Sequence, residues 1–164
     1  MTGFSLGYGG LLFVTYLIAL LLSVFPLGLG TLSWMRPEFV CLLSIYWLLY
    51  TPHKVGIALP WAMGFVQDIV EGGVWGAHAF AMAIVAYIVL LSYQRLVSYS
   101  RVQQMMWVLI LIGVHQIFFN WLQGLMGNSV PVSLILLPTI MSGLCWPVMV
   151  LILRRFSMKY RPAL

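Results

Sequence analysis

Charged side chains are scarce in this sequence. Lys, Arg, Asp and Glu together make up 7% of the 164 residues, whereas soluble domains carry roughly 25%. A water-soluble fold cannot cover its surface with so few charges, so a soluble enzyme or nucleic-acid-binding domain is excluded. The hydrophobic share is 63% and the mean hydropathy is +1.04, which is typical of a chain that lies almost wholly within a membrane.

Motifs for catalysis or metal binding are also missing. Cys41 and Cys145 both lie in apolar stretches, without a CxxC pair or a Cys/His cluster, and are expected to be packing thiols. The sequence contains no GxSxG, HExxH or phosphate-binding loop. Because only three residues are acidic, most polar catalytic schemes lack the groups they need. We therefore predict no enzymatic activity and no cofactor or metal.

Apolar stretches long enough to cross a bilayer recur along the chain, and each needs about 20 residues. Turn residues such as Pro52-His53-Lys54 and Glu71-Gly72-Gly73 separate them, as does a polar connector over residues 94–104. The pattern predicts an all-α polytopic membrane protein with one transmembrane domain over residues 1–164. We expect about six transmembrane helices, over residues 8–27, 37–51, 55–70, 75–93, 105–125 and 133–153, with a basic tail over 154–164.

The basic residues predict the orientation of these helices. If both termini are cytoplasmic, the outer loops hold only Arg36, next to Pro37 at the start of the second span. The remaining basic residues then lie on the inner side: Lys54, Arg95, Arg101, Arg154, Arg155, Lys159 and Arg161. Two explanations for Arg36 stay open, an ion pair with Glu38 or Glu71 and a contact with a partner. The first stretch lacks a basic start and a cleavage site, so we expect a retained span.

Asp68 is the most informative polar residue, because a carboxylate near a span is costly and therefore suggests a function. At 100° per residue it shares a helical face with Gly64 and Gln67, and such a face should contact protein rather than lipid. Two interpretations stay open. Asp68 either caps a helix or reaches water at the outer interface, or it bonds to a neighbouring span.

A matching polar face occurs on the fifth span. Gln116 and Asn120 lie one helical turn apart, and Asn120 lies at about the depth of Asp68, which predicts a pair between Asp68 and Asn120. His115 points away from that face and is expected to be a packed residue. On the fourth span, small residues at helical spacing favour close approach of another helix; they are Gly76, Ala79, Ala83 and Ala86.

Two segments together resemble the family of the rod shape-determining protein MreD. The first contains Trp34-Met-Arg36-Pro37, Ile45-Tyr46-Trp47 and Thr51-Pro52-His53-Lys54-Val55-Gly56. The second is Gly64-Phe-Val-Gln-Asp68-Ile-Val-Glu-Gly-Gly73-Val-Trp-Gly76. The family usually has Ser-Gly in the turn where this chain has Glu71-Gly72-Gly73. The specific resemblance covers roughly residues 34–95.

The resemblance implies a non-enzymatic scaffold in the bacterial inner membrane that is required for rod shape and lateral peptidoglycan synthesis. Its implied partner is MreC, and through MreC the MreB filaments and RodA with its penicillin-binding transpeptidase. The family fold has been likened to the substrate-binding subunits of vitamin transporters, so a small-molecule-binding transporter subunit is the alternative. The candidate structural or partner-contacting residues are Arg36, Pro37, Pro52, His53, Gly64, Asp68, Gly73, Gly76, Gln116 and Asn120.

Overall fold

The computed structural model describes residues 6–24, 36–127 and 131–157, and all regular structure in these ranges is helical. The helices are α1 (Leu6–Val24), α2 (Phe39–Tyr50), α3 (Pro52–Val55), α4 (Ala58–Glu71), α5 (Ala77–Ser98), α6 (Arg101–Leu125) and α7 (Val132–Ser157). Helices α1, α5, α6 and α7 are each long and apolar enough to cross a membrane. The prediction of an all-α polytopic membrane protein is thus confirmed.

Helix α2 is the core of the bundle. It has 12 residues, which give about 18 Å of helix, much less than the roughly 30 Å hydrocarbon core. Its residues from Val40 to Leu49 are all buried, and it packs against α1, α4, α5, α6 and α7. A helix that is apolar on every side is stable when other helices surround it. The shortness of α2 is therefore accommodated by protein neighbours rather than by lipid.

The other helices are arranged around α2 in the order α1, α4, α5, α6 and α7, because each packs against the next. Between α7 and α1 the structure has an open apolar groove. The ring is therefore closed on four sides of α2 and open on one.

The six predicted spans correspond to α1, α2, α4, α5, α6 and α7, and α3 is a single extra turn. It stays a prediction that the shorter helices α2 and α4 cross the membrane completely. The cytoplasmic position of both termini depends on these crossings and stays a prediction too. Outside the described residues lie the loop that contains Trp34 and three further residues, Asn128, Lys159 and Arg161.

The polar connector predicted over residues 94–104 is helical except at Tyr99 and Ser100. Helix α5 continues to Ser98 and α6 begins at Arg101. Ser100 caps α6: its hydroxyl accepts a hydrogen bond from the Gln103 backbone N–H (3.4 Å), and the Gln103 side chain accepts one from the Ser100 N–H (3.0 Å). This reciprocal capping box satisfies two helix-end donors, so the polar residues form helical turns beyond the apolar length.

The two ends of the bundle differ in charge. Glu38, Asp68 and Glu71 lie where α2 begins, α4 ends and α5 begins, and we call this the acidic end. The opposite end, which we call the basic end, carries the described basic residues other than Arg36; these are Lys54, Arg95, Arg101, Arg154 and Arg155.

Candidate functional site

The acidic end is shaped by the short turn between α4 and α5. Gly72 follows α4 with φ 67°, and Gly76 precedes α5 with φ 92°. Both values lie in the left-handed region that side chains other than glycine rarely adopt. The turn reverses the chain, so that the last residues of α4 lie beside the first residues of α5.

Asp68 caps the N-terminus of α5 from the neighbouring helix. Its Oδ2 accepts hydrogen bonds from the backbone N–H groups of Gly76 (2.9 Å) and Ala79 (3.3 Å). Its Oδ1 accepts one from the backbone N–H of His78 (3.0 Å) and lies 2.8 Å from the ring Nδ1 of His78. The first N–H groups of a helix lack partners within it, and Gly76 has no side chain that could cap them. The carboxylate also complements the positive end of the helix dipole.

The predicted pair between Asp68 and Asn120 is wrong, because the neighbouring helix that Asp68 bonds to is α5. Asp68 thus both caps a helix and bonds to a neighbouring span, and it is buried rather than exposed to water. Asn120 instead donates from Nδ2 to the backbone carbonyl (2.8 Å) and side-chain oxygen (3.2 Å) of Gln116. Gln116 in turn donates from Nε2 to Glu38 Oε1 (2.8 Å). The polar face of α6 therefore faces the start of the central helix α2, because α2 lies closer to it than α4 does.

All three acidic residues of the chain gather around His78. Besides Asp68, Glu71 has its Oε2 3.7 Å from His78 Nε2, and Glu38 interacts electrostatically with the His78 ring. Gln67 donates from Nε2 to Glu71 Oε1 (2.8 Å). We call Glu38, Gln67, Asp68, Glu71 and His78 the acidic cluster. Among the described residues, no group of His, Cys, Asp or Glu is arranged to hold a metal ion.

Sequence reasoning missed the role of His78. The residue is 4% exposed, and its ring packs against Phe119 at a centroid distance of 4.0 Å. His115, predicted to be a packed residue, is fully buried with its ring centroid 5.7 Å from that of His78. The available signal was that His78 lies ten residues after Asp68, across a glycine-rich turn that can bring the two together.

Gly64 is the contact point between α4 and α5. A Cβ atom added at Gly64 would lie 2.8 Å from the backbone N and Cα of Ala79, closer than real Cβ contacts occur. Ala79 belongs to the small-residue stripe predicted to let another helix approach, and α4 is that helix. Close backbone approach through small residues is a common way for membrane helices to associate.

The remaining candidate residues divide between the two ends. At the acidic end, Pro37 precedes α2, with its carbonyl accepting a hydrogen bond from Phe39 N–H (2.9 Å), and Gly73 lies beside the Gln123 side chain. At the basic end, Pro52 begins α3, and the exposed His53 ring meets Tyr93 edge-on. Pro52 and His53 are therefore remote from the acidic cluster.

Arg36 ties the acidic end of α1 to the start of α2, because its guanidinium donates a hydrogen bond to the carbonyl of Ser23. We expect Arg36→Ala to lower the free energy of unfolding by about 1 kcal/mol, the contribution of a charge-assisted bond at a helix C-terminus. Thermal unfolding in mild detergent measures this. The control is Arg95→Ala at an exposed position, which should shift the midpoint less; an equal shift in both variants would contradict the assignment.

Two comparisons with known proteins agree with one another. The family model described as rod shape-determining protein MreD matches residues 5–156. The rod shape-determining protein MreD of Haemophilus influenzae is similar to the chain, with 26% identity over 158 residues, covering 89% of this chain and 90% of that protein. No solved structure matches the chain.

Proposed function

This chain belongs to the family of the rod shape-determining protein MreD, and from that premise we propose that it is a non-enzymatic scaffold of the bacterial cell-elongation complex. Membership gives a role in cell shape, and the apolar helices make the chain a multi-pass protein of the inner membrane. The proposal adds that it supports lateral peptidoglycan synthesis by associating with MreC. Through MreC it would connect with MreB filaments and with RodA and its penicillin-binding transpeptidase.

The observation that carries the scaffold proposal is that four polar side chains at the acidic end bond to one another or to a helix end. Asp68 caps α5, while Gln116 and Asn120 bond to each other and, through Gln116, to Glu38. Polar side chains that bond to one another in this way help to specify one arrangement of helices. A transporter subunit would instead need such groups to converge on a cavity. The large groove between α1 and α7 has an apolar lining, so the scaffold is the better-supported function.

Trp75 is the best candidate for a contact with MreC. It lies in the turn that Asp68 fixes against α5, and 74% of its side chain is exposed. An exposed aromatic side chain on a rigid turn loses little conformational freedom on binding, and tryptophan is enriched among the residues that dominate interfaces. Exposed tryptophans also anchor helices at the membrane surface, so the experiment must separate the two roles.

We expect Trp75→Ala to reduce the amount of MreC that copurifies in mild detergent by about tenfold or more, as for residues that dominate an interface. The thermal midpoint of the chain should stay unchanged because the side chain makes few internal contacts. The matched control is Trp121→Ala. Trp121 lies on α6, also near the acidic end of the bundle, and is 55% exposed. Equal loss of MreC with both variants would indicate membrane anchoring and contradict a specific contact at Trp75.

A further inference from the structure

The open side of the helix ring is a groove between α1 and α7. Its volume is about 570 Å³, and Phe39 and Leu43 of the central helix α2 form its floor. Elsewhere α2 is covered by neighbouring helices, so this groove is where an external molecule reaches the core of the protein. The α7 wall includes Leu144, Val148 and Ile152, which all have exposed side chains.

The groove lining matches an apolar occupant. Among the lining residues, Thr15 is the one with a polar side-chain oxygen or nitrogen. Its hydroxyl donates to the Leu12 carbonyl (2.9 Å) and accepts a hydrogen bond from Trp47 Nε1 (3.3 Å). The hydroxyl is therefore already satisfied, and the described part of the lining offers contacts to hydrocarbon.

A positive charge lies at the basic end of this groove. Arg155 is exposed and follows Val148 by seven residues and Ile152 by three, which places it within about 60° of both on the helix surface. Arg154 lies on a different face, about 120° from Val148 and 160° from Ile152. Arg155 therefore extends the groove wall into the membrane interface, whereas Arg154 does not.

We propose that the groove holds an acyl chain of an anionic phospholipid whose phosphate lies beside Arg155. The groove runs along α7 from Leu144 to Phe156, about 18 Å of helix, so a hydrocarbon chain can lie along it. The distribution of basic residues places Arg155 at the cytoplasmic leaflet, where anionic lipids attract arginine.

Native mass spectrometry of the full chain, with phosphatidylglycerol and phosphatidylcholine supplied in equal amounts, tests the proposal. We expect the wild-type chain to retain phosphatidylglycerol preferentially. Arg155→Gln should lower the ratio of retained phosphatidylglycerol to phosphatidylcholine about fivefold, and Arg154→Gln, the matched control, should change it little. Equal effects of the two substitutions would show diffuse attraction to the surface and overturn the site.

A second variant tests the groove itself. Val148→Trp fills the groove from a position that is 57% exposed, so folding, checked by the thermal midpoint, should be preserved while retention of both lipids falls. Unchanged lipid retention would overturn the proposal. Loss of copurifying MreC with lipid retention intact would also overturn it, because the groove would then be a contact site for a partner helix.

Discussion

Gly64→Ala should separate α4 from α5 and lower the free energy of unfolding by about 1–3 kcal/mol, the usual cost of overpacking a tight contact. The reason is geometric. The added methyl group would lie 2.8 Å from the backbone of Ala79, and a backbone cannot move aside as the end of a flexible side chain can. Thermal unfolding in mild detergent, followed by circular dichroism, measures the loss.

The matched control for this variant is Gly113→Ala in the middle of α6. A Cβ atom at Gly113 would meet no atom within 4 Å, and alanine in a helix interior is more stable than glycine by roughly 0.5–1 kcal/mol. The control should therefore leave the thermal midpoint unchanged or raise it. A similar loss in both variants would mean that any added methyl group disturbs the bundle and that the α4–α5 contact is not special.

Asp68→Asn should lower the free energy of unfolding by about 3 kcal/mol, as expected when a buried charge pair loses one partner. Both carboxylate oxygens face N–H donors at the start of α5. An asparagine must present its NH₂ group to one set of these donors, which leaves them without an acceptor. Asparagine has nearly the same shape as aspartate and differs from it at one heavy atom, and this single change is sufficient to break the cap.

Glu71→Gln makes the same chemical change one helical turn later and serves as the control. Glu71 accepts one hydrogen bond from Gln67, and its side chain is 31% exposed. The amide oxygen of glutamine can still accept that bond, so the loss should stay below about 1 kcal/mol. If Asp68→Asn and Glu71→Gln unfold at the same temperature, then the carboxylate of Asp68 stabilises the protein no more than that of Glu71, and the account of Asp68 as the helix cap is wrong.

The helices could be predicted from sequence because apolar length and turn residues determine where a chain crosses a bilayer. Their ends could not, since polar residues such as Gln94 and Arg101 are helical beyond the apolar core. The central position of α2 was also missed. Every span in this chain is apolar, so hydropathy does not distinguish a helix surrounded by protein from one surrounded by lipid.

At the candidate site, helical periodicity identified the correct faces but not the correct partners. Gly64, Asp68 and Gln116 are buried against protein, as predicted, and Asn120 is half-buried. Their partners depend on how the helices are arranged around α2, and the depth of a residue in the membrane does not contain that information. The bond between Asp68 and His78 joins α4 to α5 across a tight turn, and the periodicity within either helix gives no information about how the turn places them.

The central claim is that Asp68 fixes the turn between α4 and α5 and so sets the surface that a partner of this scaffold recognises. The most direct test is the amount of MreC that copurifies with the chain from bacteria lacking their own MreD, at matched membrane levels of each variant. The wild-type chain and Glu71→Gln should retain MreC, and Asp68→Asn should lose most of it. Retention of MreC by all three, or by none, would contradict the account.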